Sequence, residues 1–225
     1  MPAPRMCSHD RVSGWAVVVP AKRLARAKTR LAPLTAQVPG VPHAELVLAL
    51  LADTVAAAAA SSAVAHLLVV TDDPRAAAVV TALGARTVPD EPDAGLNAAL
   101  AHGARGTGAA RVAALSSDVA ALRTAELTSA LEQADGFPRS FVADAEGVGT
   151  TLLAVTAGEL DPRFGRGSAA AHAASGAVSL AGAWPGLRRD VDTAADLAAA
   201  AGLGLGARTA PLATRLLGAP GRRPA

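Results

Sequence analysis

At 225 residues, 51% of them hydrophobic and with a formal net charge of +2, the chain is long enough for one sizeable core and predicts a single domain. Its mean hydropathy of +0.32 does not amount to a membrane span, because the longest apolar stretch, 44–60, carries Glu45 and Asp53, charges that are costly in hydrocarbon. A single cysteine, Cys7, excludes internal disulfides and thiolate cages, so any metal must be held by oxygen, and the absence of tyrosine with only three phenylalanines and two tryptophans disfavours nucleic-acid binding.

Residues 1–14 read as an N-terminal extension. They mix Arg5, His9, Asp10 and Arg11 and lack the apolar stretch of a secretory signal, which predicts a cytoplasmic protein. The domain is expected over 15–210, with a flexible tail over 211–225. The first strand is 15–20 (WAVVVP). Directly behind it, Lys22, Arg23, Arg26, Lys28 and Arg30 crowd one loop. Five cations repel one another unless a polyanion sits among them, and a triphosphate supplies that charge; the residue types alone leave a solvated basic loop equally open. No G-x-x-x-x-G-K-[ST] motif occurs, so the P-loop template does not apply.

The Pro/Gly-rich segment 33–42 is expected to be a mobile loop. Beyond it, apolar β-branched runs alternate with Ala/Leu stretches: helix 44–61, strand 66–71, helix 75–83, strand 86–89, helix 96–104 and strand 111–116. This alternation predicts an α/β protein of three layers, with a mostly parallel mixed sheet covered on both faces by helices. Open parallel sheets bind ligands at the carboxyl ends of their strands. Asp118 stands at such an end and is either a crevice carboxylate or a helix N-cap.

Helix 125–134 and strands 140–143 and 151–155 follow, the strand pair partly antiparallel. Two small-residue loops come next: Gly147-Val-Gly149-Thr150-Thr151, and Phe164-Gly165-Arg166-Gly167-Ser168 opening helix 168–175. Backbone amides, hydroxyls and an arginine there suit a phosphate or carboxylate, although such loops often only connect elements. His172, one turn beyond Ser168, either faces this site or is an ordinary helix residue. In Asp190-Val191-Asp192 an extended backbone points residues i and i+2 to one side, bringing two carboxylates within reach of the same hard cation; a surface acidic pair is the alternative. Asp196 belongs to the start of helix 194–201. The Gly202-x-Gly204-x-Gly206 run follows no strand and is no dinucleotide fingerprint.

Taken in order, VVVPAKRLARAKTRLAPL, ALLADTV, VVTDD, GLNAAL, the strand-end Asp118, SFVAD, GVGTTLL, LDPRFGRGSAAAH and AWPGLRRDVDTAADL resemble the guanylyltransferases of deazaflavin coenzyme (coenzyme F-420) biosynthesis. The likeness runs over roughly 15–209. K-x-x-x-x-A-K-T-R-L near the start, with RFGxxS and DVDTxxDL near the end, is its specific combination. The actinobacterial branch, which uses phosphoenolpyruvate, is the nearer likeness; the archaeal branch uses 2-phospho-L-lactate.

The resemblance implies a nucleotidyltransferase fold of the glycosyltransferase-A-like, Rossmann-like type. By position it makes Asp118, Asp190 and Asp192 the metal-binding carboxylates, holding two Mg²⁺, and counts Lys28 with them among the catalytic residues. It sets Thr150, Gly165 and Ser168 against the substrate phosphate and carboxylate, Lys22, Lys28 and Arg30 against the triphosphate, and Asn97 near the nucleotide. GTP and phosphoenolpyruvate are the implied partners, with a downstream deazaflavin transferase to receive the product and neither nucleic acid nor membrane involved. Two departures stand out: Ser117-Asp118-Val119-Ala120 replaces the family's G-D-L-P, and a family arginine is replaced near His43. They keep open 2-phospho-L-lactate as the acid, and a catalytically silent GTP-binding or regulatory homologue. An enzyme for molybdopterin or sugar phosphates would show a G-G-x-S-x-R-M-G-like signature, which does not follow Pro20.

Overall fold

The structure, a computed structural model, describes residues 14–24, 27–91 and 93–218. The extension at 1–13 with Cys7, the loop cation Arg26, and 219–225 of the expected tail lie outside the described residues.

Seven strands form one sheet: β1 (Trp15–Pro20), β2 (Val64–Val70), β3 (Arg86–Val88), β4 (Val112–Leu115), β5 (Arg139–Ala143), β6 (Thr150–Val155) and β7 (Val178–Ser179). Their order is β3-β2-β1-β4-β6-β5-β7. All neighbours are parallel except at β6, which runs antiparallel to both β4 and β5. The helices are α1 (Ala32–Ala36), α2 (His43–Ala59), α3 (Pro74–Ala82), α4 (Leu96–Thr107), α5 (Thr124–Ala134), α6 (Ser168–Ala174), α7 (Ala194–Leu203) and α8 (Thr209–Leu217), with a 3-10 turn at Thr29–Leu31.

Strand β1 shows why the apolar run WAVVVP forms a central strand: its side chains alternate between two cores. Trp15, Val17 and Val19 pack with Val55 of α2, Val80 of α3 and Leu127 of α5. Ala16 and Val18 face the other way, toward Leu100 of α4 and Ala169 of α6. The result is the three-layer arrangement expected from the alternating elements. Helix α4 lies close to the sheet because Gly103 has no side chain; a Cβ there would stand 2.7 Å from the γ-methyls of Val18 and Val70. Among the described residues no helix is long and apolar enough to cross a membrane.

Two expectations are corrected. The segment 33–42 is not wholly a loop, since α1 occupies Ala32–Ala36, with Pro33 in its first turn where a missing N–H costs nothing. Leu34, Thr35 and Val41 are buried. The supposed tail begins as a helix: α8 buries Thr209, Ala213 and Leu216, and the domain therefore runs past 210. Asp53 of α2 accepts the amides of Arg208 at 3.1 Å and Thr209 at 2.7 Å, satisfying donors that a helix start leaves open. A third core joins α1, α2, α7 and α8 through Leu34, Leu50, Leu197 and Leu216.

Candidate functional site: a basic loop over a carboxylate floor

Because β1, β2 and β4 are parallel, their carboxyl ends lie along one edge of the sheet, and antiparallel β6 begins at that same edge. A cleft of about 360 Å³ opens there between Lys22, Lys28, Arg30, Ser117, Asp118, Phe164 and Asp192. A second cleft of about 350 Å³ shares Pro20, Lys22 and Leu96 with it and adds Asp72, Asp90 and Asp93.

The loop behind β1 is tied at three points. The Leu24 amide donates to Asp73 Oδ2 at 3.0 Å, and the same carboxylate caps α3. His43 Nε2 donates to the Ala27 carbonyl at 2.8 Å, so the residue near the family's missing arginine fastens the basic loop from α2. Leu31 is fully buried. Between these ties Lys28 is held in the left-handed region, φ 54° and ψ 42°, a conformation that strains a non-glycine residue. Its Nζ reaches Asp118 Oδ2 and lies 2.5 Å from Asp192 Oδ1. Lys22 and Arg30 are exposed beside it.

Asp118 and Asp192 meet because the Val191 amide donates to the Asp118 carbonyl at 3.2 Å. Val191 is fully buried, which turns its neighbours Asp190 and Asp192 outward together. The segment's approach is set further back. Buried Glu126 accepts the amides of Gly186 at 3.2 Å and Leu187 at 2.8 Å, and a Cβ on Gly186 would strike the Ala121 carbonyl. Arg188 adds hydrogen bonds to the carbonyls of Ala143 (3.1 Å) and Asp144 (2.8 Å).

The three carboxylates expected to share metal ions do not form one cluster. Asp118 and Asp192 converge on the Lys28 ammonium, whereas Asp190 groups with Asp144 and Glu146, their carboxylate oxygens lying within 4.8 Å of one another. Asp144 and Glu146 come from the β5–β6 turn, which Arg188 ties to the 186–192 segment through the Asp144 carbonyl at 2.8 Å. Burial, then the neighbouring Asp192, push the Asp190 carboxyl up to about 6, with Lys28 pulling against them and Asp144 adding to them. The donors are all oxygen, a cation already bridges Asp118 and Asp192, and the Asp144–Glu146–Asp190 triad could hold a metal; the residues fit a hard divalent cation.

The turn that lacks the family's proline is held by one bond within it and one tertiary bond instead. Leu122 donates to Val119 at 2.9 Å, and Gly206 donates to the Ala120 carbonyl at 2.9 Å. Val119 and Ala120 are buried.

On the β6 side, the Ser116 amide donates to the Thr151 carbonyl at 2.8 Å, setting Thr150 beside the end of β4. Thr150 Oγ1 lies 2.9 Å from His172 Nδ1. Ser168 is buried at the start of α6, and Gly165 has φ 136°, where only glycine sits without strain. Asn97 is engaged with the loop: its Nδ2 donates to the Phe164 carbonyl (3.0 Å) and its Oδ1 accepts the Phe164 amide (2.8 Å). That clamp holds Phe164 at the cleft.

Sequence reasoning missed Glu126, Asp144 with Glu146, and the acids of the second cleft. Glu126 gave no signal, because an acid in the first turn of a mixed helix such as α5 is ordinary. Asp144-Ala-Glu146 before a glycine turn was the signal for the second group.

A strand-end carboxylate floor under a basic turn, in a sheet of this order, defines a nucleotidyltransferase fold. A solved nucleotidyl transferase from Methanothermobacter thermautotroptrophicus shares it, with a TM-score of 0.53, 24% identity, and coverage of 81% of this chain and 94% of that one. Residues 15–177 match the family described as "Guanylyl transferase CofC like". The chain is 64% identical over 203 residues (89% of this chain, 94% of the relative) to a phosphoenolpyruvate guanylyltransferase of Geodermatophilus obscurus. It is 58% identical over 215 residues (93% and 92%) to one of Thermomonospora curvata. The chain belongs to the CofC-like guanylyltransferase family.

Proposed function

We propose that the protein transfers GMP from GTP to phosphoenolpyruvate, releasing pyrophosphate and forming enolpyruvyl-diphospho-5'-guanosine for a downstream deazaflavin transferase. The observation that carries this reading is the Lys28 ammonium bridging Asp118 and Asp192 on the floor of the cleft, a charge arrangement suited to two polyanions meeting at one edge. A phosphate oxygen of the acid forms a bond to the α-phosphorus as the bond from that phosphorus to the leaving pyrophosphate breaks. The phosphate is already ionised at neutral pH and needs no general base. Catalysis reduces to holding the reactants in line and neutralising the charge that grows on the transferred and leaving groups. Lys22, Lys28 and Arg30 take the triphosphate; Thr150, Gly165 and Ser168 take the acid. Asp118 with Asp192, and Asp190 with its neighbours Asp144 and Glu146, would hold Mg²⁺, two ions in all, which when bound neutralise phosphate charge and template the reactants.

The guanine base goes to the second cleft, where Asp72, Asp90 and Asp93 offer acceptors. Asp90 Oδ1 is buried without a partner among the described residues. Guanine presents N–H donors on its Watson–Crick edge to such oxygens, whereas adenine's ring nitrogen there is an acceptor. Pyrophosphate release measured with GTP and Mg²⁺ tests the reading: phosphoenolpyruvate supports turnover, 2-phospho-L-lactate is used more slowly, ATP fails, and a chelator abolishes the reaction. GTP binding without pyrophosphate release for either acid overturns it in favour of a silent homologue.

A further inference from the structure

Resting on that reaction, we infer that His172 is a positioning residue for the acid substrate: its Nδ1–H holds the oxygen of the Thr150 hydroxyl, so that the hydroxyl proton is presented to the substrate anion. The hydrogen-bond inventory leaves little freedom. The Arg163 backbone N–H points at His172 Nε2, 2.9 Å away; an amide can only donate, so Nε2 carries the lone pair and Nδ1 the proton. That proton goes to Thr150 Oγ1 at 2.9 Å. A hydroxyl has one proton to give, and among the described residues the Thr150 proton finds no protein acceptor. In the proposed reaction the substrate anion is the acceptor that completes it.

The imidazole is fixed in place. It is fully buried between the rings of Phe141 and Phe164, with centroids 5.9 Å and 5.2 Å away. Burial, Arg139 and Arg163 push its pKa down to about 4, with Asp161 acting the other way, so the ring stays neutral in one tautomer under assay conditions. Arg163 begins the Arg163-Phe164-Gly165 segment whose Phe164 is clamped by Asn97 at the cleft. One ring therefore ties together the two segments, 150–151 and 163–168, that flank the acid. A histidine that only filled space would need neither bond.

The two nitrogens can be replaced separately. His172→Asn keeps an N–H donor near the Nδ1 position, while His172→Gln keeps an oxygen acceptor for Arg163 near the Nε2 position and loses the donor to Thr150. Losing one oriented hydrogen bond to an anion corresponds to roughly a tenfold change. His172→Gln is expected to raise KM for phosphoenolpyruvate about tenfold, with KM for GTP unchanged and a much smaller fall in kcat. His172→Asn should lie closer to the wild type. Thr150→Val should raise the same KM, and adding His172→Gln to it should have no further effect on that constant. Binding is read independently as the rise in Tm that phosphoenolpyruvate alone gives the protein. No rise in the wild type overturns both the proposed reaction's acid site and the role of His172. A rise that His172→Gln leaves intact overturns the positioning role alone, and one that Thr150→Val leaves intact overturns it and removes Thr150 from the acid site. So does a His172→Gln protein in which kcat and both KM values deteriorate together.

Discussion

Asp190 occupies an unfavourable place for a charge. Its carboxyl, raised to about 6 by burial and by Asp192, binds its proton more tightly in the folded protein than in the unfolded chain. Stability therefore falls as pH rises from about 4 through 6, and above that the cost is fully present. After allowance for solvent screening the penalty is about 1–2 kcal/mol. Asp190→Asn is expected to raise the Tm of the metal-free protein at pH 7.5 by a few degrees, to leave it nearly unchanged at pH 4, and to abolish pyrophosphate release. A variant with wild-type turnover would remove Asp190 from the metal site. Lys28 shows the same trade at a single residue, since a left-handed backbone conformation is kept where it delivers an ammonium to two carboxylates.

The element that decides whether these side chains meet is the segment 186–192, which has no secondary structure of its own apart from turns. It is fastened from outside by Glu126 of α5, by the Val191–Asp118 backbone bond and by Arg188. Glu126→Gln places an amide N–H₂ against one of the backbone donors, leaving a buried donor unsatisfied at a cost of about 1–3 kcal/mol. The expected result is a lowered Tm together with a fall in kcat of about tenfold or more, because small displacements of catalytic groups are costly. A loss of stability with unchanged kcat would show that Glu126 supports the fold and not the geometry of Asp190 and Asp192. The β4 turn illustrates the same dependence. Its family proline is absent, yet backbone bonds from Gly206 and within the turn hold it, which removes a physical ground for reading Val119-Ala120 as a mark of inactivity.

Across the whole molecule, three cores hold the layers together, and the third depends on the helix that composition presents as a tail. Removing residues from 207 onward would strip Ala213 and Leu216 from that core and leave Asp53 buried without the amides it accepts. The truncated protein is expected to lose about 3 kcal/mol or more, read as a lower urea midpoint; an unchanged midpoint would return α8 to the status of an appendage.

What the sequence determined by itself is the set of core elements and the chemical character of the edge. Strands such as WAVVVP and the Ala/Leu helices announce themselves through spacing, which is a local property, and the cations behind β1 and the acids at 118, 190 and 192 are visible as residue types. The Pro/Gly content of 33–42 and the expectation of a tail from 211 onward misled because burial, not composition, makes α1 and α8 helices. Only the tertiary structure decided the partners: Lys28 with Asp118 and Asp192, 90 and 164 residues away, Asp190 with Asp144 and Glu146, Asn97 with Phe164, and the single tautomer of His172. Each is a contact between segments distant in the chain, whose energy depends on the dielectric and distances that packing creates, and no pattern along the sequence encodes it.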